Sequence, residues 1–276
     1  MSSTNKIPPP TLHPPPIDYV SKSTAQAQLQ PKPNPNPDSQ TKSKSQQSQL
    51  QLTPINIPDS VKFSFTITYI LLITTGTITF IEAMRTKDPV VRHILNLETC
   101  ISIVAGYFYS IFTTKLSDHE RTNSPVDWSE MTVTRYMDWS ITTPMMLIVL
   151  CVVLSSQIKT SVHLSIITLI LALNYAMLYA GYLGEIEAIN RTTANIIGFL
   201  PFIVMFGLIY WKYVAPKYNL ANYVLFYFYL VVWSLYGIVY MFDEETKNVL
   251  TNILDLIAKC FVGLGVWAYY VRIVRL

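Results

Sequence analysis

From residue 61 almost to its end, this chain is a succession of apolar stretches broken only by short polar connections. Seven stretches are read as helices, near 61–84, 92–114, 132–154, 161–183, 191–213, 220–242 and 247–271. At about 1.5 Å of rise per residue, each is long enough to cross roughly 30 Å of hydrocarbon. The expected fold class is an all-α membrane protein: a single seven-transmembrane-helix bundle with its polar groups turned inward. Composition agrees, since only 13% of residues are charged, against about 25% in an ordinary soluble domain. The net charge of +3 is small and unclustered, so nothing argues for nucleic-acid binding.

The first 60 residues are different. They hold 12 of the 17 prolines, followed by a Ser/Gln-rich run. Such a stretch buries too little apolar surface to offset the entropy of ordering it. Residues 1–56 are therefore expected to be a disordered tail with polyproline character, and 57–276 the helical domain. The tail reads as a spacer in preference to a ligand for a proline-recognition domain. No apolar run precedes residue 61, so no cleavable signal pattern is expected. Cys100, Cys151 and Cys260 all lie inside apolar stretches without metal or redox spacing, and read as small buried hydrophobes.

The connections set an expected direction. Arg85, Lys87 and Arg92 follow the first stretch, Lys159 the third, Lys212 and Lys217 the fifth, and Arg272 and Arg275 the last. The alternate connections hold Asp118, Glu120, Asp127 and Glu130, then Glu185 and Glu187, then Asp243, Glu244 and Glu245. Basic connections stay on the cytoplasmic side, which places the N-terminus outside and the C-terminus inside.

Charges in the middle of apolar helices cost several kcal/mol each, so every one needs a partner or a task. Arg135, Asp138 and Thr142 recur at i, i+3 and i+7 in "RYMDWSITTP", flanked by Trp139 and Thr143; Asn252, Asp255 and Lys259 repeat the spacing in the last stretch. The plain reading is a structural network in which two carboxylates neutralise two cations. The sharper one is a lysine placed to form a Schiff base with an aldehyde, with two aspartates as counter-ions. The sixth stretch adds an aromatic stripe, Trp233, Tyr236 and Tyr240, that offers a flat apolar slot.

"RYMDWSITTP" together with "LDLIAK" resembles the microbial (type 1) rhodopsins over roughly 60–276, and "NLETCISIVAGYFYS" resembles their giant-virus branch. The resemblance implies all-trans retinal bound as a Schiff base on Lys259, Asp138 as primary proton acceptor and Asp255 as second counter-ion. It sets Arg135 just outside them, and has Trp139, Thr142, Thr143, Met146, Trp233 and Tyr236 line the chromophore; Asn252 would extend the polar route outward. Tyr109 looks like a retinal-pocket tyrosine of the family. A nonpolar Met146 at the family's colour-tuning position suggests green absorption. The chain departs from the family's pumps at Gly237, where many have proline, at Tyr240, where a second tryptophan is common, and in lacking a tryptophan in mid fifth helix. The family commonly forms trimers or pentamers, in a host cell membrane if the protein is viral.

The resemblance implies light-driven ion transport, with membrane lipid, retinal and protons or other cations as partners. Val149 stands where family pumps usually carry the carboxylate that returns a proton. Glu98, at matching depth on the second helix, is the candidate substitute if it faces the third helix; the bland alternative is a glutamate reaching the lipid headgroups. An outward proton pump is the favoured reading, with Thr142 holding Asp138. The alternative is a light-gated cation channel lined by Glu82, Asn96, Glu98 and Asn252. A sensory photoreceptor ranks lower, since no transducer domain follows residue 276.

Overall fold

The computed structural model describes residues 57–271; the expected tail, 1–56, and the basic pair Arg272 and Arg275 lie outside the described residues. Seven helices follow one another: α1 Asp59–Arg85, α2 Pro89–Thr122, α3 Trp128–Ile158, α4 Leu164–Glu185, α5 Arg191–Val214, α6 Leu220–Val239 and α7 Glu244–Tyr270. No strand occurs among the described residues. Short polar residues start most helices by accepting otherwise orphaned backbone N–H groups. Asp88 does so for α2, ahead of a proline whose missing N–H is harmless there. Asp127, Asn190, Asn219 and Asp243 do the same for α3, α5, α6 and α7. Asn123 and Lys159 close α2 and α3 in the left-handed conformation.

All seven expected helices are present, with shifted ends. α2 runs eight residues past its expected end because "KLSDHERT" is polar yet helical; its last turns are tied down by Lys62–Glu120 and Lys115–Glu130 ion pairs at 3.1 and 3.0 Å. α6 stops at Val239, and the apolar residues Tyr240–Phe242 form the turn that leads to the Asp243 cap. Apolarity marked what can lie in lipid, whereas the caps decide where helices begin and end.

The bundle exposes apolar side chains on its outer surface and buries its mid-helix charges among an apolar core. Ile70, Phe80, Leu164, Leu200 and Trp211 are exposed on its outer surface, while Glu98, Arg135, Asp138, Asn252, Asp255 and Lys259 are buried. Cys151 and Cys260 are buried as expected; Cys100 is not, and sits on the outer face. Sequence-neighbouring helices pack on one another, and α7 closes back on α1. One hydrophobic core draws on α2 through α7, and a second joins α1 and α2 with Met131 of α3 and Cys260 of α7. Lys259 lies at their seam: its neighbour Ala258 belongs to the first core and Cys260 to the second. Here α7 widens into a π-helical segment, Leu256–Phe261. A second wide turn, Tyr210–Val214, ends α5. Such local widening is frequent at functional sites.

Candidate functional site

The centre is an ion triad. Lys259 Nζ lies 2.8 Å from Asp138 Oδ2 and 3.3 Å from Asp255 Oδ2. All three residues are buried, as their spacing on α3 and α7 requires. Arg135 completes the charge balance, with Nη1 3.7 Å from Asp255 Oδ2. Two positive and two negative groups thus sit out of water together, and removing any one would leave a buried charge uncompensated.

The two carboxylates are not equivalent. Asp255 Oδ1 accepts from the Tyr236 hydroxyl at 2.7 Å, and Oδ2 from the Tyr109 hydroxyl at 2.9 Å, in addition to its cations. Asp138 has Lys259 at Oδ2, while its Oδ1 is buried with no hydrogen-bond partner. Thr142 does not hold the Asp138 side chain as expected: its hydroxyl donates to the Asp138 backbone carbonyl at 2.9 Å, the bond a helical threonine makes most readily.

Toward the N-terminal end of α7 the network continues. Arg135 Nη2 donates to Asn252 Oδ1 at 2.9 Å and to Asn248 Oδ1 at 3.0 Å. Asn252 Nδ2 donates to Ser64 Oγ at 2.9 Å, and the guanidinium lies over the Phe112 and Phe65 rings. One turn further out, Lys247 Nζ donates to both oxygens of Glu185 and to Glu244. Arg191 binds the same two acids, so four charged residues tie together α4, α5 and α7.

A cavity opens beside Lys259. Trp139, Thr143, Met146, Trp233, Tyr236 and Tyr240, all expected to bind the cofactor, line it. Thr142 is buried but is not among the lining residues. Trp139 meets Tyr236 edge to face, 5.6 Å between ring centres. Thr143 accepts from the buried Asn174 at 2.9 Å, and the Tyr240 hydroxyl donates to the Gly181 carbonyl at 2.9 Å. Tyr109 acts on Asp255 and is likewise absent from the lining.

Glu98 is 2% exposed, so it does not reach for headgroups. It packs at Gly263 of α7, one turn past Lys259 on the side away from Asn252. A Cβ on Gly263 would stand 3.0 Å from Glu98 Oε2 and 3.2 Å from Thr75 Cγ2 of α1. This places the Glu98 carboxyl beside α7. Asn96 is exposed on the outer face and Glu82 is half-buried, so the four polar residues of the channel reading do not all face inward.

Residues 59–273 match the family described as bacteriorhodopsin-like protein. The chain belongs to that family, the microbial rhodopsins. This rhodopsin is similar in structure to the viral rhodopsin OLPVRII, with 44% identity and a TM-score of 0.73, covering 79% of this chain and all of that one. That relative places it with the viral branch. It is 27% identical over 156 residues to a green-light absorbing proteorhodopsin of Gamma-proteobacterium EBAC31A08, covering 51% of this chain and 62% of that protein. The chain thus spans under two thirds of that curated relative. The proton pumping rhodopsin AR2 of the alga Acetabularia acetabulum shares the fold, with a TM-score of 0.63 at 19% identity over 79% of this chain and 97% of that one.

Rhodopsins of this family bind retinal through a Schiff-base lysine. The donor set here fits such a group: an amine at one end of an aromatic-lined cavity, with two carboxylates beside it. The sequence reading missed Met177 and Gly181 of α4 and Phe199 and Phe202 of α5, which also line the cavity. It had flagged Gly237, and the structure gives the reason for glycine: a Cβ there would stand 2.5 Å from the Phe199 ring.

Proposed function

We propose that this rhodopsin is a light-driven outward proton pump, with retinal on Lys259, Asp138 as proton acceptor and Glu98 as proton donor. Retinal bound there would supply light absorption and a nitrogen whose hold on its proton changes with the shape of the polyene. The observation that carries the reading is the inequality of the two aspartates. A carboxylate that receives hydrogen bonds is favoured as the anion. Asp255, bonded by two tyrosines and facing Arg135, is built to stay charged. Asp138, with one bare oxygen, gains more from a proton, and its Oδ2 is 2.8 Å from the nitrogen that gives one up.

Glu98 supports the return step. It is buried and without a charged partner in the ion pairs, on the opposite side of Lys259 from Arg135. A carboxyl so placed holds a proton that it can give to Lys259 Nζ once Asp138 has taken the first. The positive-inside reading of the connections makes the Glu98 side cytoplasmic and the Arg135 side extracellular, so net transport is outward.

Photocurrent under voltage clamp tests this. A pump drives outward current at every reachable voltage; current whose sign follows the cation gradient would instead establish a channel and overturn the reading.

A further inference from the structure

One polar side chain in the cavity wall uses only its nitrogen. Asn195 of α5 lines the cavity, and its Nδ2 donates to the Gly237 carbonyl of α6 at 3.0 Å. That carbonyl lies in the last turn of α6. In a longer helix the Met241 N–H would serve it, but Met241 donates to Ile238 instead, at 3.1 Å. Asn195 supplies the missing donor. Only the nitrogen end of a carboxamide can donate to a carbonyl, so this bond fixes which way the amide faces. Asn195 Oδ1 then stands 3.3 Å from the point where a Gly237 side chain would begin, and no donor among the described residues reaches it.

The hydroxyls that share this cavity are engaged elsewhere. Tyr240 donates to the Gly181 carbonyl, Tyr236 to Asp255, and Thr143 to the Trp139 carbonyl. The rest of the wall near Asn195 is apolar: Phe199 and Phe202 of α5 and Trp233 of α6. A carbonyl oxygen in such surroundings is costly to leave dry, and a hydrocarbon ring is a poor neighbour for it. Closing the end of α6 explains the nitrogen of Asn195 but not its oxygen. Position in the bundle says which end of an occupant the oxygen meets. α6 packs on both α5 and α7, so the α5 wall lies across the cavity from Lys259. A long aldehyde held at Lys259 brings its opposite end to that wall.

We propose that Asn195 Oδ1 accepts a hydrogen bond from a hydroxyl on the ring of the bound retinoid, so that the cavity selects a ring-hydroxylated retinal over the plain aldehyde. The inference rests on the reading of Lys259 as the lysine that carries retinal. A site that offers an acceptor to a ligand hydroxyl discriminates against the analogue without one, because the acceptor is then left unpaired. The two aldehydes have the same reacting end, and each loses one water when it condenses with the Lys259 amine. A difference in uptake therefore reports the ring end alone.

The test is a competition. The retinal-free full chain is equilibrated with an equimolar excess of all-trans retinal and all-trans 3-hydroxyretinal, each enantiomer of the alcohol in turn. The bound aldehydes are then extracted and separated by chromatography. The wild type should favour one enantiomer of the hydroxylated aldehyde about fivefold, the scale of one neutral hydrogen bond. Asn195→Leu should bring the ratio to about one. Asn195→Ala should do the same, and it replaces the leucine variant if that variant forms no pigment. If Asn195 served only to close α6, its variants would lower the total pigment and leave the ratio as in the wild type, which would overturn the proposal. Equal uptake of plain and hydroxylated aldehydes by the wild type would also overturn it and leave Asn195 Oδ1 to water. Both of those results keep the pigment and so leave the reading of Lys259 standing. A wild type that forms pigment with neither aldehyde, or a Lys259→Ala variant that still forms it, would overturn that reading and this inference together.

Discussion

The two sides of Lys259 are built on opposite principles. Toward Asn248, polar groups are joined in a chain: Asp255, Tyr109, Arg135, Asn252, Asn248, then the Glu185–Lys247–Glu244–Arg191 cluster. Toward Gly263, polar groups are few, and Glu98, Thr75 and Ser102 keep unsatisfied atoms. A connected network fixes charges in place, because each member holds its neighbours. On the pump reading proposed above, the networked side would serve as a fixed electrostatic frame and Glu98 as the group that exchanges a proton.

The most severe way to break the contrast is to remove its centre. Lys259→Ala should abolish the visible absorption band of protein supplied with retinal, together with all photocurrent. A band that persists at the same wavelength would place the cofactor elsewhere. Next in size is Asp138, the proposed acceptor. Asp138→Asn should lower photocurrent about 100-fold or more, the scale of a lost proton-transfer group. Asp255→Asn should cost more folding stability than Asp138→Asn, because it strips Arg135 and two tyrosines of their shared acceptor. Thermal unfolding of the two variants ranks them, and the reverse order would deny that Asp255 is the fixed member of the pair.

How much of this was legible beforehand depended on contrast. Charges in an apolar run stand out, so Arg135, Asp138, Asp255 and Lys259 could be placed on facing stripes from spacing alone. Met177, Phe199 and Phe202 could not be found, because an apolar residue in an apolar helix carries no mark of the direction it faces. The aromatic stripe of α6 was readable, but the double duty of Tyr236, cavity wall and Asp255 donor, was not. Thr142 was misassigned because a threonine hydroxyl can serve a neighbouring side chain or its own helix, and sequence does not choose. Glu98 was found by depth; its seat on α7 depends on the missing side chain of Gly263, which only packing reveals.

The two sides should also differ in stability. Asn252 serves Arg135 and Ser64, so Asn252→Leu strands a buried guanidinium short of an acceptor and should cost about 2–4 kcal/mol. Glu98→Gln removes a buried acid that has no ionic partner, and should change stability by less than about 1 kcal/mol. Chemical denaturation in bicelles compares them. Equal losses would mean that the Gly263 side is as tightly networked as the other.

The smallest effect lies where the networked side begins. Asp243 caps α7 by accepting the Thr246 backbone N–H at 3.0 Å, and that bond holds its carboxyl below the ordinary carboxylate value of about 4. A group whose folded value is depressed contributes stability above its unfolded value and loses it as pH falls through the folded one. The cap therefore steadies α7 through neutral and mildly acidic solution and weakens only in strong acid. Asp243→Asn keeps an acceptor at the cap but removes the charge. Its thermal midpoint should sit slightly below that of the wild type at neutral pH, and the gap should close as pH drops past the depressed value. A gap that widened in acid would mean that the carboxylate opposes folding at that position, by repelling Glu244 and Glu245 in the first turn, and that α7 is anchored by the Lys247 cluster rather than by its cap.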